Sequence, residues 1–122
     1  MSFSREIYEA LEAVVGPENI SDREYILAGN RSKTPEFPFE YHSADAVILP
    51  GSTEEVRDIV RLCNRYGVCF VPTVSGAIAD AYPNRAGTLL IDLKRMDRIV
   101  EINAGDRYAV VEPGVRHVQL YP

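Results

Sequence analysis

Ala46-Val47-Ile48-Leu49-Pro50-Gly51-Ser52-Thr53-Glu54-Glu55-Val56-Arg57-Asp58-Ile59-Val60-Arg61-Leu62-Cys63-Asn64-Arg65-Tyr66-Gly67-Val68-Cys69-Phe70-Val71-Pro72 is the stretch whose pattern decides how the rest of the chain folds. Ala46 to Leu49 is a continuous apolar run closed by Pro50, as in a strand buried on both faces. Ser52 and Glu55 stand at capping-box spacing. Val56, Ile59, Val60 and Cys63 recur at i, i+3, i+4 and i+7, with Glu54, Asp58, Arg61 and Arg65 outside that stripe, so the spacing predicts an amphipathic helix. Gly67 suits the left-handed position that ends it. Val68 to Pro72 is a second candidate for a buried strand. Strand, helix and strand at this spacing make a βαβ unit with parallel strands and a right-handed crossover.

Toward the C-terminus, Thr73 opens a loop of about fourteen residues without periodicity, longer than most connections in compact domains. Thr88 to Leu93 resumes strand character, and Lys94-Arg95-Met96-Asp97 makes a polar turn. Arg98 to Ile102 and Tyr108 to Glu112 are two further strands. Asn103-Ala104-Gly105-Asp106 separates them, and a glycine between two β-rich runs marks a hairpin. Pro113-Gly114 closes the last strand. Val115 to Leu120 is expected to begin another helix, which has too few turns before Pro122 to bury a stripe. The sequence is therefore expected to stop inside an architectural unit.

Toward the N-terminus, Arg5 to Val15 reads as an amphipathic helix. Ser4 serves as N-cap, Phe3 and Tyr8 are placed for a hydrophobic staple, and Ile7, Leu11, Val14 and Val15 form the buried stripe. Gly16-Pro17 stops it. Asn19 to Arg31 is expected to be mostly irregular. Thr34 to Tyr41, with two prolines and three aromatics, reads as an extended connector on a surface. The fold class that follows is α+β, a βαβ unit followed by an antiparallel β-hairpin. Residues 1–45 form a lead-in of helix and connector, and residues 46–122 form the structured unit.

Composition bounds the function. With 122 residues, 46% hydrophobic and 25% charged, the chain has material for one core. A net charge of −5, with the basic residues interleaved among acids, disfavours a surface that tracks nucleic-acid phosphates. No stretch approaches the apolar length of a membrane span. Arg5, Glu6, Glu9 and Glu12 exclude the apolar part of a signal peptide from the first fifteen residues. Cys63 and Cys69 make no disulfide framework and read as small buried hydrophobes, so a reduced, cytoplasmic setting is expected. His42 and His117 have no converging ligands, so no metal site is expected and both histidines are placed at the surface. Neither a P-loop nor G-x-G-x-x-G occurs. No Ser-His-Asp arrangement can be built from these two histidines, and no catalytic residue is assigned.

From Ala46 onward the order of these pieces resembles the FAD-linked oxidases of the vanillyl-alcohol oxidase and p-cresol methylhydroxylase type, which include D-lactate dehydrogenases and glycolate oxidase subunits. The pieces that carry the resemblance are Ala46 to Pro50, Ser52 to Val56, Gly67-Val68, Phe70-Val71-Pro72, Gly87 to Met96 and Tyr108 to Val115. The resemblance implies the first, pyrophosphate-holding subdomain of a two-subdomain FAD-binding domain, incomplete without the second half and a substrate domain. It further implies an oxidoreductase acting on an alcohol or hydroxy acid. The loop after the second strand would hold the FAD pyrophosphate on successive backbone amides, which form an anion cradle. In this chain those positions are Thr73, Val74, Ser75, Gly76, Ala77 and Ile78, with Gly114 near the flavin side.

This loop departs from the family's glycine-rich pattern. It keeps Gly76 but runs on through Ala77-Ile78-Ala79-Asp80. Ile78 is costly at positive φ, and Asp80 brings negative charge toward an anion. The loop holds neither His nor Cys, so it offers no covalent flavin link. An alternative follows from the same departures: an interaction module that keeps the fold without the cofactor, whose exposed apolar surface self-associates or meets a partner subunit.

Overall fold

The computed structural model describes residues 3–29, 43–74, 83 and 85–121. The connector 34–41, His42 and the loop positions Ser75 to Ile78 lie outside the described residues. The N-terminal helix α1 spans Arg5–Val15, and its first turn is capped by the Ser4 hydroxyl, which accepts from the Ile7 N–H at 3.3 Å. Its Tyr8, Leu11 and Val15 are buried, while Ile7 and Val14 pack against the core with part of their surface exposed. The segment expected to be irregular contains two short elements, β1 (Ile20–Ser21) and α2 (Glu24–Gly29). Two residues and six residues are too short to show a period, which is why pattern alone did not separate them from loop.

The decisive stretch folds as β2 (Ala46–Ile48), α3 (Thr53–Tyr66) and β3 (Cys69–Thr73). At the start of α3 the Ser52 hydroxyl accepts from the Glu55 N–H at 3.2 Å. The Glu55 carboxylate reaches back one residue further than a standard capping box, accepting from the Gly51 N–H at 2.7 Å. At the other end Gly67 adopts φ 66° and ψ 32°, the left-handed conformation its sequence position predicted.

β2 and β3 are parallel, but they do not touch. Thr88–Asp92 forms β4 and inserts between them, pairing in parallel with each, so the sheet order is β1-β2-β4-β3 with β1 antiparallel at one edge. This corrects two expectations. β4 is the fully buried central strand, and β3 is an edge strand on which Phe70 and Pro72 are exposed. The edge position suits Pro72, since a proline has no N–H to give to a ladder.

Each face of the sheet has its own cover. On one face α1 and α3 pack over Ile20, Ala46, Ile48, Leu89 and Ile91, with Ile59 and Cys63 supplied by α3. On the other, Leu27 of α2 and Ala44 pack with Val47 and Leu90. The alternation along β2 and β4 divides these residues between the faces as the strand pleat requires.

Beyond the sheet, β5 (Ile99–Asn103) and β6 (Tyr108–Val111) form the antiparallel hairpin that the sequence predicted, with a bulge between Ile99 and Glu101. The left-handed residue of its turn is Arg107, at φ 59°. Asn103 closes it, accepting from the Asp106 N–H at 2.9 Å. The helix expected at Val115 to Leu120 is a single 3-10 turn, His117–Leu120.

Candidate functional site

β2, β4 and β3 run in one direction, so their carboxyl ends at Ile48, Asp92 and Thr73 open onto a single edge of the sheet. In open α/β sheets that edge is where ligands bind. The amino end of α3 starts at the same edge, directly after β2. The loop that carries the expected cradle leaves from it at Thr73.

Thr73 is the informative residue of this edge. Its side chain is buried, with 6% of its surface exposed, and its Oγ1 has no hydrogen-bond partner among the described residues. A buried hydroxyl left unpaired costs about 1–3 kcal/mol, so the edge carries a donor without an acceptor among the described residues. The backbone beside it is used: the Thr73 carbonyl accepts from the Leu93 N–H at 2.9 Å. Val74 continues the chain, half-buried, into the loop.

Across from Thr73 in the strand register stands Asp92, only 2% exposed. Its Oδ1 accepts from the Lys94 N–H at 3.1 Å, and the Lys94 ammonium lies 3.8 Å from Oδ2. Asp92 thus folds the chain over as β4 ends. Arg95, three residues on, donates from Nη1 to the Leu49 carbonyl at 2.6 Å and faces the Glu55 carboxylate at 3.9 Å. Turn, β2 exit and α3 start are tied together by that guanidinium. Asp92 and Arg95 belong to a segment that carries the family resemblance, but the sequence assigned neither a contact. A carboxylate closing an otherwise apolar strand was the available signal for the first.

Gly114 has a role that the sequence did not indicate. Its N–H donates to the Met96 carbonyl at 2.7 Å. A Cβ placed on it would stand 2.7 Å from the Lys94 carbonyl oxygen, 2.8 Å from that of Met96 and 3.0 Å from that of Leu93. Only glycine lets the strand leaving the hairpin lie this close to the turn that leaves β4. Glu112, two residues earlier, is 9% exposed and paired through Oε1 with Arg98 Nε, while its Oε2 is buried without a partner among the described residues. The hydrogen bond and charge of Glu112, with a smaller effect of Glu54, hold the Arg98 guanidinium above its ordinary value.

The remaining candidates are dispersed. His117 is exposed on the 3-10 turn. Cys63 is buried and Cys69 partly so, both reduced. Burial first, and the neighbouring Cys69 second, push the Cys63 thiol up to about 11. Among the described residues no helix is long and apolar enough to cross a membrane.

Comparison with known proteins places this geometry. The family described as FAD binding domain matches residues 44–122. The glycolate oxidase subunit GlcD of Bacillus subtilis is 34% identical over 115 residues, which are 92% of this chain and 24% of the relative. D-2-hydroxyglutarate dehydrogenase of Stutzerimonas stutzeri is 30% identical over 116 residues, 93% of this chain and 24% of the relative. The solved structure of 4-ethylphenol oxidase from Gulosibacter chungangensis superposes with a TM-score of 0.83 at 35% identity, covering 97% of this chain and 24% of that one. The chain spans about a quarter of the length of the relatives it matches.

Proposed function

The chain belongs to the FAD binding domain family, and from that membership we propose that it is the pyrophosphate-holding part of a flavin-dependent oxidoreductase acting on an alcohol or hydroxy acid. FAD is the cofactor of this family. Thr73, Val74, Ser75, Gly76, Ala77 and Ile78 are the residues proposed to cradle its pyrophosphate, through backbone amides and the Thr73 hydroxyl, without a covalent link. Gly114 contributes to the flavin side by letting the hairpin exit sit close. The subdomain boundary, residues 1–45 as lead-in and 46–122 as cofactor-holding unit, belongs to the same proposal.

One observation supports it above the others: the buried Thr73 Oγ1, without a partner among the described residues, at the carboxyl end of β3, where the cradle is proposed to begin. A phosphate oxygen is the acceptor such a donor lacks, and a neutral O–H donor to a charged acceptor is worth roughly twice a neutral pair. When bound, the flavin supplies the hydride acceptor, and the protein supplies binding, orientation and electrostatics. The substrate class rests on the relatives' names, glycolate oxidase and D-2-hydroxyglutarate dehydrogenase, each of which names a hydroxy acid or its product.

A second proposal is that the module keeps the fold for protein contact and has lost FAD. It is favoured by the hairpin, where Val100, Ile102 and Val110 are 61%, 67% and 44% exposed. A two-stranded hairpin is marginal alone, and an apolar surface of this kind marks a contact face. Titration with FAD, followed by flavin fluorescence, separates the two. Saturable binding by the natural chain supports the cofactor role. Binding only by Ile78→Gly means that the loop has decayed, and binding by neither supports the contact role.

A further inference from the structure

Glu112 presents a problem that the described residues do not solve. Its carboxylate is nine-tenths buried, yet only Oε1 is engaged, by Arg98, whose own side chain is 78% exposed. Oε2 is buried without any donor among the described residues. A buried oxygen of an ionised carboxylate without a donor is among the costlier defects a native structure retains, and such atoms cluster where a ligand or a trapped water completes the site.

Its surroundings say which kind of ligand. Glu112 leads through Pro113 into Gly114, whose backbone lies against the Leu93-to-Met96 turn at the carboxyl end of β4. Glu112 is therefore joined through two residues of backbone to the edge where the cofactor is proposed to bind, and it brings a carboxylate there. A second anion is repelled there. A neutral hydroxyl is not: it donates to the free oxygen and leaves the Arg98 pair in place.

Resting on the cofactor reading above, the geometry points to Glu112 Oε2 as the acceptor for a hydroxyl of the polyol part of bound FAD. FAD carries hydroxyls in two places, the ribose of its ADP half and the ribityl chain of its flavin half. The chemistry is shared, so the test separates them.

The test is calorimetric titration of the natural chain and of Glu112→Gln with FAD, ADP and riboflavin. Glutamine keeps the shape and an acceptor for Arg98 but removes the charge. A hydrogen bond to a charged group predicts a loss of FAD affinity of about tenfold to a hundredfold in the variant. An equal loss for ADP alone assigns the ribose, and for riboflavin alone the ribityl chain. Because the substitution could disturb folding, the carboxyl carbon resonance of Glu112 is followed in the unmodified chain as ligand is added. A shift that saturates with binding is expected. Unchanged FAD affinity in the variant, or a resonance that does not move while FAD binds, leaves the oxygen to a trapped water and overturns the inference. If FAD, ADP and riboflavin all fail to bind the natural chain, the cofactor reading falls, and this inference with it.

Discussion

The amide of Gly114 donates to the carbonyl of Met96 at 2.7 Å, and the same oxygen would lie 2.8 Å from any Cβ that residue 114 acquired. Hairpin and parallel sheet are joined at this point by backbone against backbone, so nothing flexible can yield. Gly114→Ala is expected to destabilise the chain by about 1–3 kcal/mol, the usual cost of overpacking. Urea unfolding followed by far-UV circular dichroism checks it. A variant as stable as the natural chain would show that Gly114 is not a packing requirement.

Arg107 makes the opposite case. It holds φ 59° in the hairpin turn, a left-handed conformation that costs a residue with a side chain about 1–2 kcal/mol. Arg107→Gly removes that cost and adds about 0.5–1 kcal/mol of backbone entropy lost on folding. The expected outcome is a modest rise in melting temperature. A fall would mean that the Arg107 side chain makes a contribution larger than the strain.

The buried Cys63 thiol gives a pH dependence whose sign is fixed. Its folded value is raised to about 11 from an ordinary 9.0. The folded state therefore holds the proton more tightly than the unfolded one. The associated stability is complete below pH 9 and is lost as pH rises toward 11. Cys63→Ala should lose less stability over that interval than the natural chain, although it starts less stable because a small cavity remains. Denaturation midpoints across the interval measure this, and parallel slopes would contradict it. In thiol labelling at pH 8, Cys69 should react first.

Exposed apolar residues of the hairpin lead to a prediction about association. Ile102 is 67% exposed and its side chain contributes little to the two cores. If that face mediates contact between copies, Ile102→Lys should shift sedimentation toward monomer while leaving the unfolding midpoint within about 0.5 kcal/mol of the natural chain. An oligomer unaffected by the substitution would place the contact elsewhere.

What could be read from residues, and what could not, follows from how local each signal is. Helices α1 and α3 announced themselves because Leu11 with Val15, and Ile59 with Cys63, recur at helical spacing between clear caps. The hairpin was legible for the same reason, being closed by residues near one another in sequence. The position of β4 between β2 and β3 was not. Strand order depends on which apolar runs meet after long connections, and Thr88 to Asp92 differs from Cys69 to Thr73 only in degree. The site residues divide in the same way. Thr73 was proposed because the family resemblance puts the cradle after the second strand. Asp92, Arg95 and Glu112 lie in segments that carry the resemblance, but their contacts were not legible because burial and partners arrive from distant segments, as Arg95 reaching the Leu49 carbonyl shows.

The central claim is that this chain holds FAD at the carboxyl edge of its parallel strands, beginning at Thr73. Calorimetric titration of the natural chain and of Thr73→Val with FAD tests it most directly, with the melting temperature of each recorded before ligand is added. Valine keeps the shape of threonine and removes the unpartnered hydroxyl. The expected result is a pair of opposite changes: a more stable chain without ligand, and FAD affinity lowered about tenfold or more. A natural chain that fails to bind FAD, or a variant that binds it equally well, would contradict the account.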